Sequence, residues 1–416
     1  MVRNMSSLRQ TTALALALAV LVLGGALGAA AQQAPVRIGG LFPMTGDLSA
    51  FGEPFYNSAL LAVQQINEQG GILGGRPLEL VLADTQTNPT QGVAAAQRLV
   101  NVERVPAIIG AASSGVTIPV ATSVAIPNQV VMISPASTSP LLTTLEDNDF
   151  IFRTVVSDAM QGIVLGKLAA DVGYRRVATI YVNNPYGLGL AQAFEANFRQ
   201  HGGTVTANVP FEQNQVSYRG ELDQASRGNP EALLLIAYPE NGITILRQAI
   251  EGGYFDKFLF TDGMQAPDII DAIGDPLEGS WGTAPRSAET EATALFNRYY
   301  EERFGEPPPM PFMFESYDAA FAIALAIEKA GEATGPAIRS ALREVTNPPG
   351  EVILPGEWAK AVELIRAGQD IQYVGASGPV DFDANGDVAV ASIGIWTIQN
   401  GQIEFVGYEE ARAEGF

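Results

Sequence analysis

From Val36 onward the chain alternates short apolar runs with helix-length segments, a pattern that restricts it to an α/β fold built on parallel sheets. Val36 to Leu41 reads as a strand, Tyr56 to Glu68 as an amphipathic helix, Leu78 to Ala83 as a strand and Thr90 to Asn101 as a helix. Strands Val105 to Ile109 and Val130 to Ile133 follow, again a helix length apart. A second series runs through helix Gln161 to Asp171, strand Val177 to Tyr181, helix Leu190 to His201 and strand Thr204 to Val209. It continues through helix Tyr218 to Arg227, strand Ala232 to Ile236, helix Gly242 to Glu251 and strand Phe258 to Phe260. Helices Glu291 to Phe304 and Ser316 to Ala330 come next, then a Pro/Gly-rich excursion from Asn347 to Gly356. Two strands, Ala391 to Thr397 and Gln402 to Val406, close the chain around the turn Asn400-Gly401. At 416 residues this exceeds one ordinary core, so two doubly wound lobes are expected, with a ligand cleft between them.

The first 31 residues stand apart: Arg3 and Arg9 precede the apolar stretch Ala13 to Leu23, and Ala29-Ala30-Ala31-Gln32 offers a small-residue cleavage site. This is the pattern of a secretory signal peptide, and its removal takes the formal charge from −21 to −23. So acidic a chain, with no basic patch, sets nucleic acid aside as a partner. The absence of Cys excludes disulfides, thiolate metal sites and a lipid-anchored cysteine. The mature product is expected to be soluble, exported and free of cofactors.

Two loops rich in small hydroxyl residues carry the functional signal: Gly110-Ala111-Ala112-Ser113-Ser114-Gly115-Val116-Thr117 and Ser134-Pro135-Ala136-Ser137-Thr138-Ser139-Pro140. Each follows a buried-looking strand, and loops at the carboxyl ends of parallel strands are where such sheets bind ligands. Hydroxyls, free backbone N–H groups and a helix N-terminus suit a carboxylate. Either loop alone could merely cap the next helix, whereas two aligned loops favour a site.

Catalysis finds little support. The only histidine, His201, sits in a helix-end setting, Gln200-His201-Gly202-Gly203. No Gly-x-Ser-x-Gly elbow, phosphate-cradling loop or zinc helix motif occurs. The run Asp381 to Gly386 imitates the start of a calcium loop, but its twelfth position is Ser392 where a bidentate Glu is needed, so it reads as a turn and no metal is expected.

Taken together, several stretches resemble the type I periplasmic solute-binding proteins of the leucine/isoleucine/valine receptor kind, which serve ABC importers. They include residues 36–41 with Met44-Thr45-Gly46 and Phe51-Gly52, residues 66–76 with Asp84, both hydroxyl loops, Pro185-Tyr186-Gly187, Tyr238-Pro239-Glu240, Thr261-Asp262-Gly263, Tyr317-Asp318-Ala319 and Gly378 to Asp383. The resemblance implies two lobes joined by a hinge of three crossings. Lobe one would hold residues 35–152 and 284–387, and lobe two residues 153–283 and 388–416.

It also implies a monomer that delivers an amino acid or related small carboxylate to an inner-membrane ABC permease. An exported sensory subunit, or a receptor for amides or for aromatic or aliphatic acids, would look the same in sequence. By the same resemblance Ser114 binds the ligand carboxylate, Ala136 offers backbone groups and Thr138 a hydroxyl with its N–H. Asp262 takes the place of an acidic ammonium partner that is Glu in the branched-chain receptors, Tyr238 forms an aromatic wall helped by Tyr186, and Phe51 stands where Tyr is common. Without the resemblance the two tyrosines read as core or rim aromatics, and Asp262 as a turn residue.

Overall fold

A computed structural model describes residues 34–286 and 289–412. The first lobe is organised by a five-stranded, all-parallel sheet in the order β2-β1-β3-β4-β5, formed by β1 (Val36–Phe42), β2 (Leu78–Asp84), β3 (Ala107–Gly110), β4 (Val131–Ser134) and β5 (Ile151–Arg153). Helices α1 (Ser49–Glu68), α2 (Pro89–Asn101) and α3 (Ser114–Val120, prolonged by a wide turn over Ala121–Ala125) connect its first strands. The chain then crosses to a seven-stranded sheet.

That sheet has the order β15-β14-β10-β9-β8-β6-β7, with β6 (Arg176–Val182), β7 (Thr204–Phe211), β8 (Ala232–Ile236), β9 (Phe258–Phe260) and β10 (Trp281–Pro285) running parallel. Helices α4 (Asp158–Asp171), α5 (Pro185–Gln200), α6 (Arg219–Ala225), α7 (Pro239–Glu251) and α8 (Pro267–Ile273) belong to this series. After β10 the chain leaves the sheet for α9 (Glu291–Phe304), α10 (Met313–Ala330), α11 (Gly335–Thr346), α12 (Trp358–Arg366) and the small sheet β11 (Glu351–Ile353), β12 (Ile371–Gly375) and β13 (Gly378–Pro379). The third crossing brings β14 (Val390–Gln399) and β15 (Gln402–Arg412) to the edge of the second sheet.

β14 runs antiparallel to β10 and β15 antiparallel to β14, so the parallel sheet of the second lobe ends in the hairpin that the sequence signals. The cause is local: Asn400-Gly401 adopts positive φ at both residues (52° and 71°), the conformation of a tight hairpin turn, which forces β15 back along β14.

Other boundaries shift for identifiable reasons. α1 begins at Ser49 rather than Tyr56, because Pro54 sits one turn inside a helix that the sequence pattern starts after it. α11 opens on Gly335-Pro336, a pair that reads as linker punctuation yet places proline at the first helical turn, where it is well tolerated. α10 is buried nearly all round and packs on α1 and α11, which makes it the central helix of the first lobe. His201 does cap α5, as its setting suggested.

Among the described residues no helix is long and apolar enough to cross a membrane. The expected signal peptide lies outside the described residues.

Candidate functional site

β3 and β4 pair in register, Ala107 with Val131 and Ile109 with Ile133, so the two hydroxyl loops leave adjacent strands side by side. The turn out of β3 depends on Gly110: its φ is +129°, and a Cβ there would stand 2.3 Å from the Leu41 carbonyl oxygen. Much of the hydroxyl content then stitches one loop to the other. Ser134 Oγ donates to Ala111 O at 2.6 Å, Ser137 Oγ donates to Ala112 O at 3.0 Å, and the Thr117 and Ser137 hydroxyls meet at 2.7 Å. Ser114 Oγ accepts from Ser139 N–H at 3.2 Å, which leaves its own proton to point elsewhere. Ser113 occupies the N-cap of α3 but caps nothing; its hydroxyl meets Tyr238 Oη at 2.9 Å, across the cleft.

The opposite wall comes from the ends of β6, β8 and β9. Tyr186 lies in the first turn of α5, whose N-cap Asn184 accepts from Gly187 N–H at 3.0 Å and donates from Nδ2 to Tyr238 Oη at 3.0 Å. Tyr238 stands at the N-cap of α7 and stacks on Tyr186 with centroids 5.7 Å apart and planes 12° off parallel. Asp262 opens the turn after β9. One of its oxygens, Oδ1, accepts from Tyr186 Oη at 3.0 Å and Gln161 Nε2 at 2.9 Å, and Tyr186 Oη in turn accepts from Gly263 N–H at 3.3 Å. Burial raises the Asp262 carboxyl to about 6, against the pull of those two donors.

Between the walls is a narrow pocket lined by Phe51, Ser114, Ala136, Tyr186, Tyr238 and Asp262, with Leu48, Phe55, Ala112, Ser113, Gly263 and Phe312. Six of the seven expected residues therefore meet in one cavity. The seventh, Thr138, is buried and does not line it. The cavity is two-sided in character. Hydroxyls and a carboxylate lie at one end, and Leu48, Phe51, Phe55 and Phe312 form an apolar end held by edge-on ring contacts at 5.6 and 6.2 Å.

Of this apolar end the sequence singles out Phe51 alone, although Phe55 lies one helical turn away and shares its face. Nor does it single out Asp158 and Gln161, because the pattern starts α4 at Gln161. Ser157 followed by an acidic first turn is the signal that places the start three residues earlier.

Further contacts hold the walls together at the cleft mouth. Asp47, just before α1, accepts at Oδ2 from Gln213 Nε2 at 2.6 Å and Asn241 Nδ2 at 3.0 Å. Ser139 Oγ donates to Pro185 O at 3.0 Å. At the hinge, Arg153 is enclosed and binds Asp387 through two parallel bonds, Nε to Oδ1 at 2.6 Å and Nη2 to Oδ2 at 2.7 Å. Its Nη1 donates to the carbonyls of Ser137 and Ser139 at 3.3 and 3.0 Å. The residues flanking Thr138 are thus held by a cation that belongs to one crossing and is anchored on another.

The chain is similar to proteins of known kind in both sequence and structure. A leucine-, isoleucine-, valine-, threonine- and alanine-binding protein of Pseudomonas aeruginosa is 31% identical over 73% of this chain and 81% of its own. The chemotactic signal transduction substrate-binding protein BasB of Halobacterium salinarum is 28% identical over 84% of each chain. The crystal structure of the leucine-binding protein LivK from Thermotoga maritima superposes with a TM-score of 0.76 at 30% identity, covering 90% of this chain and 98% of that one. The family model described as periplasmic binding protein matches residues 35–398. With two sheet lobes, a cleft at the carboxyl ends of their strands and a match over nearly the whole described chain, this protein belongs to the periplasmic binding protein family.

Proposed function

We propose that the mature chain is a periplasmic receptor that captures a small aliphatic amino acid between its lobes, hands it to an inner-membrane ABC permease and performs no chemistry on it. The observation that carries this reading is the two-sided cavity. The Ser114 hydroxyl and the loop N–H groups suit a carboxylate, the buried Asp262 suits an ammonium, and the ring of Leu48, Phe51, Phe55 and Phe312 suits a hydrocarbon side chain. A zwitterion loses its hydration on entry, so both charges need partners inside the cleft. The lobes divide that work: lobe one, residues 35–152 and 284–387, supplies the carboxylate donors, and lobe two, residues 153–283 and 388–416, the ammonium acceptor. The boundary between 283 and 284 falls inside β10 (Trp281–Pro285) and moves to Pro285 if that strand is kept whole. The amino acids named for the P. aeruginosa relative support the same ligand class.

A sensory role is the second reading, and the likeness to BasB over 84% of both chains favours it. It uses the same ligand chemistry and differs only in the membrane protein that reads closure.

Ser114→Ala and Thr138→Ala each remove a hydroxyl from the carboxylate end and are expected to weaken binding about 10-fold or more. Titration calorimetry with L-leucine, L-isoleucine, L-valine and L-alanine reads this directly. Unchanged affinity in both variants would place the anion elsewhere, and recovery of chemically altered ligand would restore an enzymatic reading.

A further inference from the structure

Phe312 belongs to two spaces at once. It closes the apolar end of the cleft, where its ring meets Phe55 edge-on at 6.2 Å. It also lines a second hollow of about 300 Å³, roomier than the closed cleft, which Phe296, Met310 and Phe314 wall from lobe one and Gln265 and Phe405 from lobe two. No other residue is shared by the two linings. The walls of the hollow are mostly rings: Phe296 and Phe314 meet edge-on at 5.0 Å, and the Arg286 guanidinium lies over Phe405 at 3.5 Å while pairing with the exposed Glu289. Such a lining suits a flat apolar group.

The partition is held from several sides. Prolines 307–309 and 311 restrict the connector that leads into Phe312. Gln265, three residues beyond Asp262 in lobe two, donates from Nε2 to Pro309 O at 3.2 Å. Ser316 N–H donates to Phe312 O at 3.1 Å. The backbone of Phe312 is left-handed, φ 70°, a conformation that a phenylalanine keeps only where its surroundings impose it. The ring is therefore a fixed wall, and without it the apolar end and the hollow would form one continuous space.

We propose that Phe312 is the residue that holds this receptor to aliphatic side chains, and that the hollow behind it is a second compartment of the ligand site, fit for an aromatic side chain that the ring shuts out. This rests on the amino-acid reading above for the ligand's charged head, but not for its tail. A leucine side chain ends at the ring, whereas an indole is larger than the ring and needs the space beyond it.

The test is calorimetry with L-leucine, L-phenylalanine and L-tryptophan on wild type and Phe312→Gly, since glycine adopts φ 70° freely. Wild type is expected to bind L-leucine at least about 10-fold more tightly than L-tryptophan. In Phe312→Gly the affinity for L-tryptophan should rise by about 10-fold or more, and that for L-leucine, which loses its contact with the ring, should fall by about 10-fold. Phe312→Leu keeps most of the packing and should shift both affinities the same way by less, so it reads the effect if the glycine variant fails to fold.

Wild type that takes L-tryptophan as tightly as the variants do would overturn the partition. A gain for L-phenylalanine without one for L-tryptophan would overturn the compartment, because a phenyl ring needs only the space that Phe312 vacates. Failure of the amino-acid reading looks different: L-leucine and L-tryptophan would give no heat with either protein, while indole-3-propanoate, which lacks the ammonium, would gain affinity in Phe312→Gly. The compartment would then stand and the amino-acid head group would fall.

Discussion

Replacing Arg153 by methionine is expected to lower the unfolding free energy by about 3–5 kcal/mol, the range for removing one partner of a buried ion pair. The side chain is 2% exposed and Asp387 16%, so solvent cannot take over the abandoned carboxylate. Four acceptors would lose a donor: Asp387, which keeps only the Thr143 hydroxyl; Thr143 Oγ1; and the carbonyls of Ser137 and Ser139. Those carbonyls bracket Thr138, so ligand affinity should fall along with stability. Urea denaturation of the ligand-free protein measures the first effect and calorimetry the second. Arg153→Lys keeps the charge but cannot make two parallel bonds to Asp387 while also holding both carbonyls, and it should recover only part of either loss. A wild-type denaturation midpoint for Arg153→Met would show that the hinge pair adds nothing.

Asp262→Asn should weaken an amino-acid ligand by about 2–5 kcal/mol, because an ammonium enclosed without its counter-charge loses most of what offset its desolvation. The substitution keeps the shape of the turn, and the amide oxygen can still accept from Tyr186 and Gln161, so the fold should survive it. Nitrogen-free acids should be affected far less. Calorimetry with L-leucine and 4-methylpentanoate on both proteins separates the two. Equal losses for the acid and the amino acid would assign Asp262 to the architecture of the turn rather than to the ammonium.

The strand–helix alternation was legible in the sequence because parallel strands buried on both faces, such as Ala232–Ile236, are continuous apolar runs that no other element mimics at that length. The hydroxyl loops were legible for the same reason, since each follows such a run. What stayed hidden depends on partners far away in the chain. That Ser134, Ser137 and Thr117 are spent on Ala111, Ala112 and one another follows from the pairing of β3 with β4, not from any local pattern. The Arg153–Asp387 contact spans 234 residues and joins two crossings, so neither residue announces it. Phe312 reaches the cavity only through the path of the Pro-rich connector before α10, which ends with a left-handed residue, φ 70°, at that phenylalanine. The antiparallel end of the second sheet was visible as a hairpin signal at Asn400-Gly401, but which sheet it would join was not.

Native mass spectrometry of the protein purified without denaturation, with identification of the small molecule it releases, tests the central claim most directly. The account predicts a one-to-one adduct with the mass of an aliphatic amino acid, bound by wild type and lost in Asp262→Asn. A nitrogen-free acid retained one-to-one by both proteins would contradict it.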